Sequence, residues 1–162
     1  MREDGFTIVE VIVVMAIIGI LTTLATLQFN TYVKKSQMQS QIQTLYSDLN
    51  RVRSQALFNR RPRSITMTTV QYAIYSSDVV TVSPVERTTL NYPMTLNNGA
   101  RLDFDERGLL ANVTSASACI LLPTSQDAAI DSLVLSQTRI QIGKCNDCNT
   151  TADCNSGNIT SK

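Results

Sequence analysis

Twenty-three consecutive residues, Val11 to Val33, carry no charge, and an acidic side chain, Glu10, stands directly before them. The apolar part of this run, Val11 to about Leu27, joins Phe6–Val9 to give roughly 20 residues, enough to cross a ~30 Å hydrocarbon core at ~1.5 Å per residue. Isoleucine, valine, leucine and alanine dominate it, and no proline interrupts it. The stretch reads as a membrane helix. Glu10 is then an anomaly, because an ionised carboxylate at mid-bilayer costs about 2.5–3.5 kcal/mol even on mild insertion scales. The plain reading is a Glu10 that is protonated or snorkels toward headgroups a turn away. The functional reading is a charge kept for a partner.

A cleaved secretory signal would need a basic start, a shorter apolar core and a small-x-small cleavage site. Met1-Arg2-Glu3-Asp4 is not basic, and no convincing site follows the run. At 162 residues the chain has room for one modest domain beyond the anchor. Its net charge of +1 gives no global attraction to nucleic acid or to an anionic membrane. Lys34 and Lys35 lie on the distal side of the span, so the positive-inside rule does not orient it. The cysteines do. All four (Cys119, Cys145, Cys148 and Cys154) fall in the last third, and an even count in a single-span protein suits disulfides outside the cytoplasm. This places the C-terminal region outside and Met1 inside.

Past the apolar run a helical period continues on a polar background. Met38, Ile42, Leu45, Leu49, Val52 and Ala56 follow one another at spacings of 4, 3, 4, 3 and 4, which puts them in one stripe of an α-helix. Tyr46 and Leu57 are expected to widen it. The stretch is too short for a persuasive coiled coil, so the stripe should pack on the protein's own globular part. Neither glycine nor proline occurs between Ile20 and Arg61, and one helix of about 50 residues, some 75–80 Å long, is expected. Pro62 ends it.

Beyond Pro62 the texture is that of β-strands. Ser64–Tyr75 alternates apolar and polar residues, with a change of phase at Thr68-Thr69 that suggests a bulge or bend. Asp78–Val82, Arg87–Tyr92, Ala100–Phe104, Ser117–Leu122 and Asp131–Gly143 complete a run of about six or seven strands. Turn signals separate them, among them Asn97-Asn98-Gly99 and Gly108. The segment from Cys145 to Lys162 is almost devoid of apolar residues. Cysteines, not packing, should order it.

The segment "GFTIVEVIVVMAIIGIL" resembles the class III signal of type IV pilins and type II secretion pseudopilins. That resemblance implies cleavage by a membrane-embedded prepilin peptidase between Gly5 and Phe6, then methylation of the new Phe6 amine. Glu10 becomes the fifth mature residue, an anion at the right depth to pair with the Phe6 amine of a neighbouring subunit. The leader departs from the family's usual basic one, since Glu3 and Asp4 offset Arg2. "RLDFDERG" (101–108) and "DSLVLSQTRIQIGK" (131–144) resemble the GspH/FimT branch of minor pilins and pseudopilins. The implied fold is α+β, a long N-terminal helix packed on a C-terminal β-rich head. The implied segments are a leader (1–5), a transmembrane half-helix (6–30), an amphipathic half-helix (31–61), a β-sheet head (62–144) and a cysteine-containing polar tail (145–162). The implied partners are other pilin or pseudopilin subunits, the prepilin peptidase and an inner-membrane assembly platform. The implied location is the bacterial inner membrane, with the N-terminus cytoplasmic and the head periplasmic, and then the filament of a pilus or secretion pseudopilus.

Other constellations fit less well. "CNDC" (Cys145–Cys148) lacks the strand–helix context of a thioredoxin-like motif. The chain has no histidine, which removes haem attachment and mixed Cys/His zinc sites. A four-cysteine zinc site competes with two disulfides, and the disulfides are the stronger expectation. Three connectivities are open, with Cys119 reaching a tail cysteine favoured over pairing within CxxC. Asp147 and Asp153 match no calcium loop. No cofactor or metal is expected, and with no nucleophile motif the chain is not read as an enzyme. Arg51, Arg53, Arg60, Arg61 and Arg63 read first as helix-end and solvated charge. Their alternative role is a DNA-binding patch on a pilus used for DNA uptake. A single-span membrane protein with a β-rich binding head is the competing class.

Overall fold

The computed structural model describes the backbone of residues 6–121, 128–146, 148 and 150–161, and their side chains apart from those of residues 24–27. The chain forms two compact units, residues 1–34 and 35–162. Helix α1 (Ile8–Asn59) contributes to both.

From Ile8 to Leu21 α1 is apolar on every face, Glu10 apart. Every described side chain from Phe6 to Thr23 is exposed, as expected of a helix whose solvent is lipid. Among the described residues it is the one helix long and apolar enough to span a membrane. Its most apolar 18-residue stretch has a mean hydropathy of 2.6, and none of that stretch is buried by protein.

In the second unit α1 becomes amphipathic. Met38, Ile42, Leu45, Leu49, Val52 and Ala56, the six residues of the expected stripe, are all at most 1% exposed. They share one core with Ile65, Tyr72, Met94, Leu102, Phe104, Leu133 and Leu135. Burying a leucine side chain stabilises by about 1.5–3 kcal/mol, so the stripe is the main attachment of this helix. Tyr46 and Leu57 do not join it. At 36% and 58% exposure they flank the stripe and face outward.

Among the described residues nine strands form two antiparallel sheets around that stripe. One has the order β3-β2-β1-β5, from β1 (Arg63–Met67), β2 (Gln71–Tyr75), β3 (Glu86–Thr89) and β5 (Arg101–Phe104). The other has the order β4-β6-β7-β8-β9, from β4 (Met94–Leu96), β6 (Ser115–Ile120), β7 (Ser132–Ser136), β8 (Ile140–Cys145) and β9 (Ile159–Ser161). The α+β architecture expected from the sequence is the one observed.

Several local expectations are narrowed or corrected. Of the bulge or bend expected at Thr68-Thr69, the chain makes the bend, as a turn between β1 and β2: Met67 pairs with Tyr72, and the Thr68 N–H donates to the Gln71 carbonyl at 2.8 Å. Asp78–Val82 forms no strand. It lies in the connection between β2 and β3 with Val79 and Val82 half exposed, because β propensity without a ladder partner does not make a strand. Asp131–Gly143 is a hairpin, β7 and β8, whose turn is fastened by hydrogen bonds between Ser136 and Arg139. The short strands β4 and β9 were not anticipated. The polar tail is held by more than its cysteines, since Ile159 is buried and pairs with Cys145 across β8 and β9. Gly143 permits that pairing. A Cβ there would lie 2.5 Å from Ile159 Cγ2 and 2.8 Å from the Thr160 carbonyl oxygen.

Candidate functional site

Three groups of residues carry chemistry. The first is the start of α1. Thr7 is its N-cap: its carbonyl accepts from the Glu10 and Val11 N–H groups, and its hydroxyl accepts from the Glu10 N–H at 3.3 Å. Glu10 thus stands at the third helical position, where the helix dipole favours a carboxylate. Among the described residues no donor or cation meets the Glu10 carboxylate, and Phe6 is 84% exposed. Gly5, the other half of the expected cleavage site, lies outside the described residues.

The second group is the set of arginines around the end of α1. The helix does not run on to Pro62. It stops at Asn59, and Arg60 turns the chain with a left-handed φ of 50°. Arg51 is engaged by Asp48 at 2.9 Å and Glu86 at 2.6 Å. Arg53 donates from Nε to the Gly108 carbonyl at 3.0 Å, tying α1 to the turn after β5. Gly108 makes that turn with φ 67°. Asp105 frames it, its Oδ1 accepting from the N–H groups of Arg107 and Leu109. Burial raises the Asp105 carboxyl, but those N–H groups and the Arg107 guanidinium outweigh it and hold the group below its ordinary value. Arg61 and Arg63 behave differently. With Asn59 and Ser76 they line a polar depression of about 390 Å³. The Nε of Arg63 is buried with no hydrogen-bond partner among the described residues. The five arginines are therefore not one patch: Arg51 is held in surface ion pairs, Arg53 is tied to the Gly108 carbonyl, and Arg61 and Arg63 share a concavity.

The third group is the cysteines. Cys119 on β6 is bonded to Cys154 in the tail, and Cys145 at the end of β8 is bonded to Cys148. Pairing within CxxC, disfavoured from sequence, is what remains once Cys119 reaches the tail. Cys119 and Cys154 are fully buried, whereas Cys148 is half exposed. The Asp153 carboxylate accepts from the N–H and hydroxyl of Thr150 at 3.0 and 2.7 Å, a turn-forming role. Asp147 lies outside the described residues.

Comparison with known proteins agrees with the first group and with the fold. The family described as the prokaryotic N-terminal methylation motif matches residues 1–26. The type IV minor pilin FimU of Pseudomonas aeruginosa PAO1 has a similar structure in two crystal forms. One superposes with a TM-score of 0.56 at 21% identity, covering 70% of this chain and 92% of FimU. The chain has a type IV pilin-like fold. The second FimU form gives a TM-score of 0.53 at 23% identity, over 65% of this chain and 92% of that one. No curated protein matches this chain by sequence.

Proposed function

We propose that the chain is a structural subunit, a minor pilin or pseudopilin, of a type IV pilus or type II secretion pseudopilus. The observation that carries this reading is a methylation motif joined directly to a pilin fold, with an acidic residue in the first turn of the shared helix. In this reading residues 1–5 are a leader and Gly5–Phe6 is the cleavage site of a prepilin peptidase. The helix is stored in the inner membrane with the head outside, and other pilin subunits and an assembly platform draw it into a filament.

The chemistry of assembly rests on Phe6 and Glu10. Cleavage leaves a cationic amine on Phe6 in apolar surroundings, and Glu10 of a neighbour is the matching anion. Two unit charges ~4 Å apart attract by about 4 kcal/mol at an effective dielectric near 20. Desolvation offsets much of that, so the pair chiefly sets register and orientation. Because a first-turn carboxylate also interacts with the helix dipole, two variants are needed. Glu10→Gln removes the charge and keeps a polar side chain, and Glu10→Val removes both. Both proteins are expected to be cut to an N-methylated Phe6 terminus by mass spectrometry, and both to be depleted from sheared filaments. Normal incorporation of either, or an intact Met1 terminus in membranes that contain the peptidase, contradicts the reading.

The depression at Arg61 and Arg63 favours a second reading, a minor pilin that binds DNA through phosphate contacts, with Arg60 beside it. Binding would be indifferent to sequence and would fall steeply with salt. Gel shift of the purified chain at low salt, with Arg61→Ala/Arg63→Ala as control, decides. An absent shift leaves these arginines as surface charge.

A further inference from the structure

The two disulfides share one site. The Sγ atoms of Cys119, Cys145 and Cys148 all lie within 4.8 Å of one another, and Cys154 is bonded to Cys119. Cys119, Cys145 and Cys154 form a small buried cluster with Ile159, against which the partly buried Val134 and Cys148 pack. The ligands come from a CxxC segment at the end of β8, a sheet strand and the tail, so three separate pieces of chain converge.

That convergence has a metal-binding geometry. A tetrahedral zinc–thiolate centre with Zn–S near 2.3 Å separates its sulfurs by about 3.8 Å, so after reduction each formerly bonded pair parts by about 2 Å, while sulfurs of different pairs need to approach by at most roughly 1 Å. The CxxC spacing is that of a zinc knuckle. The absence of histidine from the chain makes the donor set all thiolate, which suits a soft, redox-inert divalent ion.

We propose that in the reduced chain Cys119, Cys145, Cys148 and Cys154 hold one zinc-class ion. The tail is then fixed to the sheet by metal before oxidation and by two disulfides after it. A newly made chain carries four thiols, and one Zn²⁺ displaces four protons to give the tetrathiolate. Oxidation by two disulfides of an exchange oxidant moves four electrons to them, forms the two protein disulfides and frees the ion. This inference concerns the head's own chemistry and stands apart from the assembly role.

The test uses the full chain in detergent, reduced without oxygen by a phosphine. Each protein disulfide then becomes two thiols, while phosphine and one water become phosphine oxide. Co²⁺ serves as the spectroscopic probe. One equivalent is expected to bind, with thiolate-to-metal charge-transfer bands and the visible bands of a tetrahedral site, and Zn²⁺ is expected to displace it. The unreduced chain should give none of these bands. Cys119→Ser, which removes the strand ligand, is expected to weaken Co²⁺ binding by at least about tenfold. Cys154→Ser supplies the same comparison if that variant does not fold. Absent bands, or bands and affinity unchanged in both variants, would overturn the site. If the reduced, metal-free chain loses its β-sheet circular dichroism, Zn²⁺ must restore it, and failure to do so counts equally against the proposal.

Discussion

Single residues fix the close contacts of the head. At Gly143 the hydrogen of glycine is replaced, in Gly143→Ala, by a methyl 2.8 Å from the Thr160 carbonyl oxygen. Backbone cannot yield as a side chain does, and overpacking of this kind costs about 1–3 kcal/mol. The expected outcome is loss of amide-exchange protection in β9 while β1 and β2 stay protected. Tyr72 is a second such residue. It is 2% exposed, and its hydroxyl donates to Asp48, which also receives Arg51. Burial, and then the Asp48 carboxylate, raises the Tyr72 phenol above its ordinary value. A group whose pKa is raised on folding contributes stability that is full below its unfolded pKa, near 10 for tyrosine, and is lost as pH rises beyond it. Tyr72→Phe is expected to cost about 1.5–3 kcal/mol at neutral pH, the range for a hydrogen bond to a charged group. It should also remove part of the alkaline decline. Urea unfolding at pH 7 and above pH 10 measures both, and parallel pH profiles would contradict the linkage.

At the scale of elements, α1 meets two solvents. Up to Thr23 its described side chains are exposed and, Glu10 and the threonines apart, apolar, while from Met38 to Ala56 a single stripe is buried. Its end depends on Arg60, whose left-handed φ of 50° costs a non-glycine residue about 1 kcal/mol. The Arg61 N–H reaches back to the Ala56 carbonyl at 3.3 Å across that turn, a helix stop in which glycine is the usual residue. Arg60→Gly is therefore expected to raise the midpoint of thermal unfolding, a gain of up to about 1 kcal/mol. An unchanged or lower midpoint would show that the Arg60 side chain contributes more than its backbone strain costs.

At the scale of the whole molecule, the cysteines connect a tail with little apolar surface to a sheet that has a core. The Cys119–Cys154 bond closes a separation of 35 residues, and the Cys145–Cys148 bond one of 3. Chain entropy scales with the logarithm of loop length, so these contribute about 4 and about 1.5 kcal/mol respectively. Replacing the Cys119–Cys154 pair by serines should lower stability much more than replacing the Cys145–Cys148 pair. Denaturant unfolding of the oxidised chain compares them directly, and equal losses would mean that strain or residual structure outweighs loop length. The longer bond joins β6 to the segment between β8 and β9, where it resists unravelling of the tail.

The helical parts were legible from sequence because they depend on local order. An uncharged run of sufficient length, an N-terminal Gly-Phe-Thr-x-x-Glu pattern and a 3–4 spacing of apolar residues each act within one helix. The six stripe residues could therefore be named before any partner was known. The strands were legible only where alternation was strong. Asp78–Val82 has the composition of a strand and found no ladder, while Met94–Leu96 and Ile159–Ser161 lack clear alternation and were recruited by neighbours. Strand identity is settled by pairing between distant segments, which no local pattern encodes. The same reason governs the sites. Sequence could nominate five arginines and four cysteines. Only tertiary structure paired Arg51 with Glu86 and Arg53 with the Gly108 carbonyl, left Arg61 and Arg63 around a shared depression, chose one of three cysteine pairings, and brought the two disulfides together.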